Sequence, residues 1–276
     1  MSAADVASPA GSADERPPVL RTPALVRLAA GTVATAQAEL RKLRHDPVDI
    51  FTRSAQPLLW LFVFGTAMSR LRAIPTGGVD YRAYIAPGVM SQAAMFVAIF
   101  FGLAVIWERD VGQLQRLLAT PLPRTALVLG KAAGAATRAL VQASVLLVVV
   151  AIAGLGMKWS VLGVAGSLVL LAVGTSVFAC LSMTIASLVK ERERFMGIGQ
   201  LVTMPLFFAS SALYPLAIMP GWLHVIARVN PLTYQVEGLR GFLLGGGHPG
   251  LDLLVCLGWL VVLAAAATRA YPKAIL

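Results

Sequence analysis

Residues 161–189 read VLGVAGSLVLLAVGTSVFACLSMTIASLV, with no Asp, Glu, Lys or Arg anywhere in the run. A bilayer core is crossed by about 20 apolar helical residues, so this stretch is long enough to span one. Five further runs flank it, at 51–68, 84–107, 125–155 (most apolar over 140–155), 198–214 and 251–267. The 276-residue chain is 58% hydrophobic and 13% charged, with a mean hydropathy of +0.77. Soluble domains average roughly 45–50% apolar and 25% charged residues. A chain this apolar cannot hide its surface within one globule. The composition predicts an all-α integral membrane protein with six transmembrane helices.

The segments between these runs set orientation. With the N-terminus inside, the inner segments carry sixteen Lys and Arg, the outer loops six, and Arg138 borders the third span. This positive-inside bias predicts that both termini face the cytoplasm. It also accounts for the net charge of +10 without a nucleic-acid partner. Residues 1–23 lack an apolar core behind basic residues, so they are no signal peptide and read as a disordered cytoplasmic tail. Over 24–44, Leu25, Ala29, Val33, Ala36, Leu40 and Leu43 share one arc at 100° per residue, which predicts an amphipathic helix in the membrane interface. Pro57 and Pro205 fall inside the first and fifth spans, where kinks are expected. The stretch 214–250 is too broken by Pro and Gly to span and too apolar for a solvated loop. It predicts re-entrant helices before the last span. Residues 24–276 then form one membrane domain.

Several chemistries are missing. No phosphate-binding loop is present, because the Gly-Lys pair at Gly130-Lys131 lacks both the upstream glycine and the following hydroxyl. His45, His224 and His248 are too scattered for a metal site. Ser176, in a GTSVF string, has no histidine in any span to activate it. No acidic residue lies in the middle of a span, which counts against a proton-coupled carrier. Lys131 and Arg138 share a helix face, with Gln142 one turn on. They could hold an anionic substrate, but snorkelling to the cytoplasmic interface is favoured.

Two segments carry charge in a more specific pattern. In WERDVGQLQRLLATPLPR, Val111, Leu114 and Leu118 form an apolar stripe, and Pro121 and Pro123 end it. Glu108 and Asp110 fall in the first turn of the helix expected there and Arg116 in the last, which suits the helix dipole. The second segment, NPLTYQVEGLRGFLLGG at 230–246, starts with Asn-Pro and places Glu237 and Arg240 one turn apart.

This layout and these two segments resemble the permease subunit of a type-2 ABC exporter, the family of drug, lipid and polysaccharide export permeases. The likeness runs from about Ala24 to the end of the chain. The resemblance implies a half-transporter of two permeases, alike or homologous, and two ATPase subunits in a bacterial cytoplasmic membrane. ATP and Mg belong to the ATPase partner, so no catalytic residue, metal or cofactor is expected on this chain. By position, Glu108, Arg109, Asp110, Gln113, Leu114, Arg116 and Leu117 match the coupling helix that docks on the ATPase. Lys190, Glu191 and Arg192 match a second cytoplasmic contact. Asn230, Pro231, Tyr234, Glu237 and Arg240 match the signature segment. A path lined by Leu, Val, Phe and Met would suit an amphipathic drug or lipid. The rings Trp60, Phe62, Phe64, Phe207 and Phe208 leave polysaccharide or glycolipid export open, and a membrane anchor that transports nothing is the competing class.

Overall fold

The computed structural model describes residues 24–43, 47–71, 74–113, 123–189 and 191–270. The expected tail at 1–23 lies outside them. The regular elements of the described residues are all helices, without strands. The helix α1 (Ala24–Leu43) is followed by α2 (Pro47–Leu59), a π-helical turn (Trp60–Phe64) and α3 (Gly65–Leu71). Then come α4 (Tyr81–Asp110), α5 (Arg124–Ile152), α6 (Val161–Leu188) and α7 (Arg192–Phe208). A 3-10 turn (Leu216–Ile218), α8 (Gly221–Val229), α9 (Pro231–Leu244) and α10 (Pro249–Ala270) complete the order.

Four of these, α4, α5, α6 and α10, are long and apolar enough to cross a membrane. They coincide with four of the six expected runs. The first expected span falls within the helical series α2 to α3. The fifth expected run falls on α7, a helix that ends at Phe208, six residues short of the expected end; a turn over 209–214 takes over from there.

The helix ends follow from local chemistry. Asp80 caps α4, its Oδ1 accepting from Arg82 N at 3.1 Å, and Ser160 caps α6 by accepting from Gly163 N at 2.9 Å. Burial alone would raise the Asp80 carboxyl's pKa, but hydrogen bonds from Arg82 and Ser69 hold it below the ordinary value. α4 stops because Gly112 adopts a φ of 70°, which a residue with a Cβ rarely takes.

Pro57 does not break α2. It has no N–H to offer the Arg53 carbonyl one turn back. Gln142 of α5 supplies the missing donor, its Nε2 lying 2.9 Å from Arg53 O. The helix then widens into the π turn that begins at Trp60.

At the centre of the bundle is α6, in contact with α4, α5, α9 and α10. Small residues allow this. A Cβ on Gly163 would stand 2.7 Å from Phe242 O, and one on Gly174 would stand 2.3 Å from Gln235 Oε1. Against α4, Ser182 accepts from Gly102 N at 3.1 Å and donates to Ile99 O. Close backbone approach through small residues and hydroxyls is how apolar helices associate without a hydrophobic drive. On the outside of this group, α7 lies against α4, and α1 lies along α5.

Candidate functional site

At one end of the bundle, three consecutive residues of the last turn of α4 reach three different neighbours. Glu108 pairs with Lys131 of α5, the two side chains being 8% and 2% exposed. Arg109 donates from Nη1 to the carbonyl of Val189, just past the end of α6, at 3.2 Å. Asp110 accepts from Arg192 of α7, with Nη2 at 2.8 Å and Nε at 3.1 Å. The same Arg192 guanidinium lies 4.1 Å from the centre of the Trp107 ring. One helical turn therefore staples α4 to α5, to the end of α6 and to α7.

The structure differs from the sequence reading at two points. The sequence places Glu108 and Asp110 in the first turn of a separate helix, but α4 continues to Asp110, so they lie in its last turn. The dipole argument fails, because a helix C-terminus disfavours acids; ion pairs compensate instead. The sequence favours snorkelling for Lys131, yet it is 1% exposed and its ammonium meets Glu108. Arg138 is half-buried, with its guanidinium 5.4 Å from the Phe101 ring centre. Residues 114–122 and 190 lie outside the described residues, and with them Leu114, Arg116, Leu117 and Lys190; Gln113 is the last described residue before the first gap. Glu191 is exposed and pairs with Arg194 at 3.3 Å.

The signature segment forms α9, capped as its first two residues suggest. Asn230 Oδ1 accepts from Leu232 N at 3.0 Å, and Pro231 occupies the first turn. The Asn230 Nδ2 donates to Leu206 O at 2.6 Å and to Ala209 O at 3.0 Å, tying α9 to the end of α7. Tyr234 reaches back from its hydroxyl to Arg228 O at 2.6 Å, holding α8 against α9. Arg240 pairs with Glu237 at 2.8 Å, donates to Ser211 O at 2.9 Å and stacks 3.8 Å over the Tyr84 ring. Tyr81 donates to Leu213 O at 2.9 Å. The segment thus fastens the irregular turn at 209–214 to α4.

The largest departure from the sequence reading is a cleft of about 270 Å³ between α2, α4, α5 and α7. Four glutamines on four helices line it, Gln56, Gln92, Gln142 and Gln200, together with Arg53, Pro57, Phe96, Phe100 and Met204. Gln92 and Gln142 are each 5% exposed and form its floor, while Gln56 and Gln200 are exposed at its mouth. Only Gln142 was singled out from sequence. The signal for the others was an uncharged amide inside an apolar run. Ser176, by contrast, donates to Ala172 O at 2.8 Å, as a helix-packing serine does. Among the described residues no cluster of three or more His, Cys, Asp or Glu could hold a metal.

Residues 31–244 match the ABC-2 type transporter family. The chain belongs to that family. Relatives of this ABC-2 permease include the ycf38 protein of Porphyra purpurea, 30% identical over 75% of this chain and 72% of the relative. Nodulation protein J of Rhizobium leguminosarum bv. trifolii is 31% identical over 75% and 78% of the two chains. The daunorubicin resistance ABC transporter permease protein DrrB1 of Streptomyces coeruleorubidus is 27% identical over 90% and 88%. The chain is a membrane transport component, in keeping with its four long apolar helices.

Proposed function

We propose that this chain is the membrane-spanning half of an ATP-driven exporter, paired with a second permease and two ATPase subunits. In this reading α2 to α3 and α7 also cross, giving six spans with both termini in the cytoplasm of a bacterium. The 214–250 stretch re-enters from the outer side, and ATP and Mg stay on the ATPase partner. The amide-lined cleft carries the reading. Gln56 and Gln200 are exposed at the mouth of the cleft, on helices that pack against membrane-spanning ones. Amides facing acyl chains would be costly, so at this depth they suit a water-filled path.

The cleft walls add Phe96, Phe100 and Met204 to these amides. Such a mixed lining favours an amphipathic drug or lipid-like substrate. The relative named for daunorubicin resistance, matched over 90% of this chain, supports the drug side of that choice. Glycolipid or polysaccharide export is the second reading, favoured by the same hydroxyl-matching amides.

The staple on α4 supports a coupling role for the segment that follows it. A force applied after Gln113 would reach α5, α6 and α7 through Glu108, Arg109 and Asp110. The test is ATP-dependent uptake of a fluorescent amphiphile into inside-out vesicles, with co-purification of the ATPase. Leu114→Asp with Leu118→Asp should abolish uptake and weaken co-purification while expression is kept. Full uptake by that double variant would refute the coupling assignment.

A further inference from the structure

The helical series from α2 to α3 is interrupted twice over residues 57–64. Pro57 has no N–H, and its ring crowds the carbonyl of residue 53 one turn back. Trp60–Phe64 then form the π turn, whose i→i+5 bonds replace the regular i→i+4 ladder. Helices bend where that ladder is broken. The two sides of the break are held unequally. Beyond it, Leu61 is 1% exposed, and the rings of Trp60 and Phe64 lie 6.3 Å from those of Phe207 on α7 and Tyr81 on α4. Before it, Thr52, Arg53, Ala55 and Gln56 are exposed. Across from this half stands Gln142 of α5, 5% exposed, whose Nε2 donates to Arg53 O at 2.9 Å.

We propose that Pro57 and the π turn form a hinge in α2, and that Gln142 is its latch, a positioning residue that holds the half from Pro47 to Gln56 against α5. The movable half forms one wall of the cleft, through Thr52, Arg53 and Gln56, so the latch sets how far the cleft opens. A role in transport for this hinge rests on the permease reading. A latch must bias one position without fixing it. One net hydrogen bond shifts a two-state equilibrium by about fivefold, enough to favour the closed position and small enough to reverse. Release is also cheap at this place. Gln142 and Arg53 both line the cleft, so the parted amide and carbonyl meet a polar space rather than acyl chains. Within α2, the donor to that carbonyl would be the N–H of residue 57, which proline lacks. With another residue there, α2 would carry its own bond and Gln142 would be redundant. That dependence of Gln142 on Pro57 separates a latch from an ordinary packing contact.

The experiment uses the permease with its co-purified ATPase in lipid nanodiscs. Ala93→Cys puts a thiol on the α4 wall of the cleft, where residue 93 is 5% exposed, while Cys180 and Cys256 are buried. Its rate of reaction with a small methanethiosulfonate reads opening. Gln142→Met, which keeps the length and removes the donor, should raise that rate about fivefold. Gln142→Asn, one methylene short of the carbonyl, should do the same, so either folded variant suffices. Pro57→Ala returns an N–H to α2 and should lower the rate. Added to Pro57→Ala, Gln142→Met should then change little. An unchanged rate in the folded Gln142 variants, or an equal rise with and without Pro57→Ala, would overturn the proposal. ATP-driven uptake of a fluorescent amphiphile is read separately. Uptake should fall several-fold in Pro57→Ala, and unchanged uptake there would overturn the hinge's part in transport. If the wild-type complex moves nothing, the permease reading fails, and the latch stands or falls on the labelling rates alone.

Discussion

Glu108 and Lys131 form an ion pair inside the protein, joining the last turn of α4 to the first third of α5 with both side chains almost fully enclosed. Removing one partner of such a pair takes the counter-ion from a buried charge, at about 3–5 kcal/mol, whereas replacing both partners with apolar groups is often neutral. Glu108→Ala should therefore lower the melting temperature in detergent sharply. The double variant Glu108→Leu with Lys131→Met should recover most of the loss. Equal stability of the single and double variants would remove the pair from any structural role.

The neighbouring pair behaves differently. Asp110 and Arg192 are 37% and 41% exposed, so their bond is worth about 1 kcal/mol or less. Asp110→Asn should leave melting nearly unchanged. If the pair ties α7 to the motion of α4, the same variant lowers ATP-driven transport while ATP hydrolysis persists. Unchanged transport would confine the pair to the surface.

Asn230 is expected to be among the least replaceable residues. Its Oδ1 caps α9 and its Nδ2 serves the carbonyls of Leu206 and Ala209. An N-cap is worth about 1 kcal/mol, and buried carbonyls left unpaired add to that. Asn230→Ala should cost about 3 kcal/mol. Asn230→Asp keeps the cap but loses both donated bonds, so its loss should be smaller than that of Ala only if the cap dominates. Thermal unfolding of the two variants orders the contributions.

Gly88 brings α4 against the turn after α7. A Cβ there would stand 2.3 Å from Ala212 O, a backbone atom that no rotamer change can move. Gly88→Ala should reduce folded yield, with an overpacking cost of about 1–3 kcal/mol. Gly197→Ala meets nothing within 4 Å and should fold normally. Fluorescence-detected size exclusion of the two variants checks the contrast.

The long apolar runs were readable because a spanning helix needs little beyond length and hydropathy, and the observed α4, α5, α6 and α10 follow them closely. The cap at Asn230-Pro231 and the Glu237–Arg240 pair were readable because both are local in sequence. The end of α4 was not. Its stop depends on one glycine at a positive φ, and the acids before it are balanced by Lys131 and Arg192, which lie far along the chain. The cleft was hidden for the same reason. Its glutamines come from four helices, and no spacing within one helix links Gln56, Gln92, Gln142 and Gln200. Pro57 suggested a kink, while the actual outcome depended on Gln142 reaching the carbonyl that Pro57 leaves without a partner.

Thiol labelling at membrane depth tests the proposed path most directly. The two native cysteines, Cys180 and Cys256, are fully buried and give little background. Gln56→Cys and Gln200→Cys, in the complex reconstituted into liposomes, should react with a charged, membrane-impermeant methanethiosulfonate. Val261→Cys on α10, 70% exposed on an apolar face, should react only with a lipophilic maleimide. Labelling of both glutamine positions by the charged reagent, and protection by an amphiphile, is the result expected of a water-filled path. Reaction at Gln56→Cys and Gln200→Cys with the lipophilic reagent alone, as at Val261→Cys, would contradict it.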